Sequence, residues 1–217
     1  MTITAAADGS ALGNPGPAGW AWYVDDSCWA AGGWPESTNN RGELTAVLEL
    51  LRATACSGQG EELLIQCDSQ YVINSLTKWR HGWKRRGWRK ADGRPVLNDD
   101  LMRELDAALT GRAVRFEWVR GHVGHPMNEA ADSRARAAAT AYQQGRAVPA
   151  GPGWTRGPSG TGDQGVAPSA PGARTIGAAS SAGSAGADAG QAGVAEVVPG
   201  ATAARRARLR QEGGTLF

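Results

Sequence analysis

Cysteine is scarce in these 217 residues, which hold only Cys28, Cys56 and Cys67. An odd number without Cys-x-x-Cys spacing argues against a disulfide framework and a cysteine-built zinc site. It points instead to free thiols in a reducing compartment. Long apolar runs are also missing, since no window approaches the ~20 residues of a membrane span. The start, MTITAAADGS, lacks the basic end and apolar stretch of a secretory signal. A cytoplasmic protein without membrane contact is the expectation. Net charge is small as well, at +2, but it is unevenly spread. Residues 1–145 carry 16 Lys and Arg against 17 Asp and Glu, yet eight of those bases crowd between Lys78 and Arg94 beside a single acid, Asp92. The small average therefore conceals one short, strongly basic stretch in an otherwise balanced body.

Composition changes abruptly near residue 146. The stretch VPAGPGWTRGPSGTGDQGVAPSAPGARTIGAASSAG and its continuation hold few large apolar groups, so burial cannot offset the entropy of ordering them. Residues 146–204 are expected to be a disordered linker, and 205–217 a short basic tail. The preceding 1–145 are long enough for one core. Within them, TITAAA, GWAWYV, CWAA, ELLIQC and AVRFEWV read as strands. Helices are expected from about 40 to 55, across SQYVINSLTKW, after Asn98, and from about Met127 to Tyr142. Val72, Leu76 and Trp79 fall on one face of the second, and Val114, Phe116 and Trp118 on one face of the last strand. The order β-β-β-α-β-α-α-β-α gives an α/β fold: a mixed five-stranded sheet, antiparallel first and parallel later, flanked by helices.

The opening helix poses a chemical question. In TNNRGELTAVLELL, Leu44, Val47, Leu48 and Leu51 recur at helical spacing, with Thr38 to Asn40 where caps belong. Glu43 stands just before this stripe. It reads either as a first-turn acid favoured by the helix dipole or as one carboxylate of a larger site. Asp8 and Asp68 each follow a predicted strand, where open α/β sheets gather ligands, and Asp132 lies early in the last helix. Four unrelated capping or surface acids are one reading. The other is a cluster whose mutual repulsion is relieved by hard divalent cations. Two such ions about 4 Å apart can activate a water and stabilise a leaving oxygen in phosphodiester cleavage.

The words around these acids, DGSALGNPGPAGW, TNNRGEL, CDSQYVINSLTKW, HGWKRRGWRKADGRPVLNDDL and WVRGHVGHPMNEAAD, resemble type 1 ribonuclease H. They run in the family's order from about Thr2 to Tyr142. The resemblance implies a ribonuclease H-like fold and a monomeric endonuclease that cuts the RNA strand of RNA–DNA hybrids, leaving 5′-phosphate ends. It places the family's metal ligands on Asp8, Glu43, Asp68 and Asp132, with two Mg²⁺ ions, or Mn²⁺ substituting, and Asp8 between them. His122 in GHVGHP matches the mobile-loop histidine that assists proton transfer or product departure, a role suited to imidazole. Gly121 and Gly124 would give that loop its freedom, and His125 resembles its second histidine. A His-x-x-His zinc site is disfavoured, because no cysteine partners it nearby.

The same resemblance assigns Asn14, Asn39, Asn40 and Gln70 to nucleic-acid contacts near the cut, where short amides can test for a 2′-hydroxyl. Thr38 and Asn40 would hold a DNA phosphate. Lys84, Arg85 and Arg86, with Arg89 and Lys90, resemble a basic protrusion that meets phosphates. Trp79, Trp83 and Trp88 would pack that protrusion or lie against sugars, with packing the role expected of Trp79. Met102 stands where relatives often carry tryptophan. Resolvases and integrases, which share such a cluster, and a non-cleaving hybrid-binding module are the rival readings. The protrusion and TNNRGEL argue against the first, and the full set of four acids against the second. In the tail, Arg205, Arg206, Arg208 and Arg210 add charge. The terminal Leu216-Phe217 loosely resembles the endings by which replication proteins dock on the sliding clamp, without the usual preceding glutamine.

Overall fold

Five strands form one sheet in the order β3-β2-β1-β4-β5. The computed structural model describes residues 2–55 and 61–157. Strands β1 (Thr2–Ala11), β2 (Gly16–Asp25) and β3 (Cys28–Ser37) make an antiparallel meander. Strands β4 (Glu62–Cys67) and β5 (Val114–Trp118) add in parallel on the other side of β1. This is the expected mixed α/β sheet. The β2–β3 turn is tightened by Asp25, whose carboxylate accepts from the Ser27 N–H and hydroxyl at 2.8 and 2.7 Å.

Alternate residues of a strand face opposite ways, and the two sides of this sheet are covered differently. Trp22 and Val24 face the main core with Leu44, Val47, Leu48 and Leu51 of α1 (Asn39–Ala53) and Leu101, Met102 and Leu105 of α4 (Asp99–Leu109). Ala21 and Ala31 face α5 (Pro126–Gln143), where Ala135 and Ala138 allow close approach. Met102 is fully buried in the main core, as a flexible filler of irregular space.

Several expectations need correction. Asp8 does not follow its strand. Pairing of β1 with β4 ends at Ala6, but pairing with β2 continues to Ala11, so Asp8 lies within β1. The second helix is longer than expected: α2 (Gln70–Asn74), a π-helical turn (Ser75–Trp79) and α3 (Arg80–Arg85) follow without a break. The wider turn changes the angle per residue, which carries Trp79 off the face of Val72 and Leu76. It is 43% exposed, and Trp88 is the buried tryptophan of this segment. Trp118 is likewise 51% exposed, at the end of an edge strand. Asn98 stands at the start of α4 but in the left-handed region (φ 55°), without a side-chain cap bond.

The folded part also runs past 145. Residues 150–156 form a strap along the free edge of β3. Ala31 N–H donates to Ala150 and Gly153 N–H to Trp29, both at 3.0 Å. Trp154 lies 6.4 Å from Trp22, and Arg156 pairs with Asp25 at 2.5 Å. The expected linker therefore begins by covering an edge that would otherwise offer unpaired backbone groups. The rest of the linker, the 205–217 tail and Cys56 lie outside the described residues.

Candidate active site

Register brings two of the acids together. Ala6 pairs with Gln66 in the parallel β1–β4 ladder. Two residues further on, Asp8 and Asp68 stand level on neighbouring chains, on the side of the sheet that α5 covers. Close backbone approach brings the third. A Cβ on Gly9 would lie 2.2 Å from the Glu43 nitrogen, so the start of α1 descends onto β1 only because residue 9 is glycine. Ligand oxygens of Asp8, Glu43 and Asp68 all lie within 4.8 Å of one another. Asp132, half-buried in the second turn of α5, is outside that group yet near enough for its charge to act on Asp8.

Glu43 is not a first-turn acid. Thr38 is the N-cap, its hydroxyl accepting from Arg41 N–H at 3.3 Å, and the first turn of α1 contains no acid. Glu43 is 7% exposed and Asp8 5%, a burial that carboxylates do not adopt without partners. The Glu43 carboxylate accepts from Asn39 Nδ2 at 2.8 Å and from the Ser69 hydroxyl at 2.6 Å. Asp8 accepts from Gly9 N–H at 2.7 Å, and Asp68 from Asn128 Nδ2 at 3.3 Å. Ser69 and Asn128, the latter 1% exposed, are participants that sequence reasoning missed. Ser69 was signalled by its place between Asp68 and a helix. For Asn128 the only signal was a polar residue at a core-facing helix position.

The electrostatics follow from this crowding. Burial, then the charge of Asp68, push Asp8 up from 3.8 to about 8; Asp132 and Glu43 add to this, and the Gly9 N–H opposes it. Burial raises Glu43 from 4.5 to about 7, with the Ser69 hydroxyl opposing and Asp68 adding. Burial also pushes the Cys67 thiol up, keeping it uncharged beneath the acids. Two buried carboxyls pushed up toward neutrality by burial and by neighbouring acids fit a hard cation. Oxygen ligation would replace their protons.

The loop after β5 closes one side of the site. A Cβ on Gly121 would lie 2.3 Å from Asp68 Oδ2, so this glycine provides room for the carboxylate more than freedom for the loop. Gly124 has a φ of +88°. His122 is exposed, with a φ of +56°, and is not part of the acid group. His125 is the N-cap residue of α5 without a side-chain cap bond.

The amides expected to meet nucleic acid gather at the rim. Asn14 Oδ1 accepts from Asn39 N–H at 3.4 Å, tying the β1–β2 turn to α1. Asn14, Asn40 and Gln70 are exposed; Thr38 and Asn39 are half-buried. The basic segment divides. The half-buried Arg80 and the exposed Lys84 hold Asp106 at 2.7 and 2.6 Å, while Arg85 and Arg86, also exposed, do not reach it. Asp106 is a buried acid that sequence reasoning missed. Arg86 Nε donates to the Arg89 carbonyl at 3.2 Å, and Arg89 to the Gly93 carbonyl at 2.9 Å. Trp79 stands between Tyr71, at 6.3 Å, and the half-buried Trp83, at 5.7 Å.

Known proteins resemble this chain in sequence and in fold. The RNase H family model matches residues 1–140. The chain is 57% identical over 153 residues to a ribonuclease H of Tropheryma whipplei (strain Twist), covering 70% of this chain and 94% of the relative. It is 47% identical over 135 residues to a ribonuclease H of Escherichia coli O127:H6, covering 61% and 85%. Among solved structures it is similar to LC9-RNase H1, a type 1 RNase H with the type 2 active-site motif. The TM-score there is 0.55 at 32% identity, covering 70% of this chain and 77% of the other.

Proposed function

This chain belongs to the ribonuclease H family, and we propose on that ground that it hydrolyses the RNA strand of RNA–DNA hybrids. Asp8, Glu43, Asp68 and Asp132 are its cation ligands. The observation that carries the proposal is the meeting of Asp8, Glu43 and Asp68 within 4.8 Å, two of them buried and raised toward neutrality. Acids so placed serve a cation better than they serve the fold.

Two Mg²⁺ ions, with Mn²⁺ able to substitute, would supply the activated water and the charge stabilisation that cleavage to a 5′-phosphate requires. The chain's own residues do the rest. Asn39 and Ser69 hold both oxygens of Glu43, and Asn128 holds Asp68, so the ligands are oriented before anything binds. His122 assists proton transfer or product departure. Asn14, Asn39, Asn40 and Gln70 test the 2′-hydroxyls of the RNA strand. Thr38 and Asn40 grip a phosphate of the DNA strand. Arg85 and Arg86 attract phosphates further along, and Trp83, beside Trp79, offers an apolar face to sugars. Lys84, engaged by Asp106, shapes the basic element as much as it contacts the substrate.

The enzyme acts as a monomer. Cys28 and Cys67, both free and buried, suit the reducing cytoplasm. The Leu216-Phe217 ending would dock on a replication partner. The test of the site is Glu43→Gln and Asp68→Asn: cleavage should fall by several orders of magnitude while hybrid affinity without metal stays within about threefold, since little shape changes. Cleavage near the original rate in either variant would refute the ligand assignment.

A further inference from the structure

The loop between β5 and α5 carries His122 in a conformation that costs energy. A left-handed φ of +56° at a residue with a Cβ is unfavourable by about 1–2 kcal/mol. Gly124, two residues on, is also at positive φ. Such a backbone persists only when its surroundings hold it. On one side Gly121 presses against the Asp68 carboxylate, leaving no space for a Cβ. On the other, Gly124 N–H donates to Glu129 Oε1 at 2.7 Å.

Glu129 lies in the first turn of α5, where an acid is favoured by the helix dipole alone. Its carboxylate instead reaches back beyond the N-cap to the loop. We propose that Glu129 is a positioning residue for His122: its carboxylate latches the loop at Gly124, and the contact of Gly121 with Asp68 pins the other end. The backbone at His122 between them is thereby held in its left-handed conformation, next to the glycine that meets Asp68. The inference rests on the role given to His122 above. A glutamine at 129 would keep an acceptor oxygen and most of the latch, whereas alanine would remove it.

The experiment is a double-mutant cycle on the full chain in saturating Mg²⁺, with the hybrid concentration varied through KM. It compares Glu129→Ala, Glu129→Gln, His122→Ala and the Glu129→Ala/His122→Ala pair, and adds amide-proton exchange at Gly124 in the metal-free protein. The latch predicts that Glu129→Ala lowers kcat about fivefold, the worth of one net hydrogen bond, with KM unchanged and Gly124 exchange accelerated. Glu129→Gln should recover most of the rate. In the His122→Ala background the loss should vanish, because the imidazole being positioned is gone. An equal loss in both backgrounds, or unchanged Gly124 exchange, would overturn the latch. Full activity of His122→Ala would end the role of His122 and this inference with it. Accelerated Gly124 exchange in Glu129→Ala would then show that the hydrogen bond existed and that the fault lay with the histidine.

Discussion

Asp8→Asn is expected to make the metal-free protein more stable while removing its activity. Asp8 is 5% exposed, and its carboxyl is raised from 3.8 to about 8. The folded state therefore holds this proton more tightly than the unfolded chain does. The stability it contributes is fully present below pH 3.8 and is lost as pH rises through about 8. At about 1.4 kcal/mol for each pH unit in that interval, ionisation sets a ceiling of about 5 kcal/mol at pH 8. Asparagine has no charge to bury, keeps an oxygen for the Gly9 N–H and has nearly the same shape. An amide still loses hydration in this site, so a gain on the order of 2–3 kcal/mol should survive at pH 8. For a chain of this size that is a rise in Tm of about 5–10 °C. The assay is thermal unfolding in EDTA at pH 5 and pH 8, with the gain smaller at pH 5, and again with Mg²⁺. Added Mg²⁺ should raise the Tm of the unaltered chain and leave the variant nearly unmoved. A variant less stable at pH 8 than the unaltered chain, or equally stable, would refute the account of these charges.

Gly121→Ala should weaken Mg²⁺ binding at least tenfold in calorimetry, since its Cβ would displace the Asp68 carboxylate; unchanged affinity would show that the loop yields instead. Mg²⁺ binding at pH 7 should release about one proton, because Asp8 and Glu43 hold protons near that pH. Titration in buffers of different ionisation enthalpy measures this, and no release would contradict the raised values. Joint replacement of Lys84, Arg85 and Arg86 by alanine should raise KM and flatten its dependence on salt. Lys84→Ala alone should change that slope little and lower the Tm, as Asp106 loses a partner. A chain ending at Gly145 should melt about 5 °C below one ending at Gly157, having lost Trp154 and two backbone hydrogen bonds from the β3 edge. Equal melting points would make the strap ornamental.

What could be read in the sequence was what leaves a periodic or local trace. Leu44, Val47, Leu48 and Leu51 announce α1 through spacing, and all four are buried. The five strands follow from short apolar runs, and the sheet order joins them as the β-β-β-α-β pattern implies. Contacts across the chain leave no such trace. Asn128 reaches Asp68 over 60 positions, and Lys84 reaches Asp106 over 22. The fit of Gly9 against Glu43 depends on two backbones meeting, which composition does not encode. Trp79 lies off the face its spacing implies because that spacing assumes 3.6 residues per turn, and the π turn at Ser75–Trp79 departs from it. The strap has the composition of a linker because it is rich in Gly and Pro. Its order comes from Trp154 and Arg156 meeting partners more than a hundred residues earlier, at Trp22 and Asp25.

The most direct test is to incubate the purified chain with an RNA–DNA hybrid carrying a separate label on each strand, with Mg²⁺ supplied or withheld by EDTA. Duplex DNA and duplex RNA serve as controls. RNA fragments with 5′-phosphate ends should form only with Mg²⁺ and only from the hybrid, while its DNA strand stays whole. Cleavage in EDTA, cutting of the DNA strand, or an intact hybrid in saturating Mg²⁺ would contradict the assignment of a cation-dependent ribonuclease H to this cluster of acids.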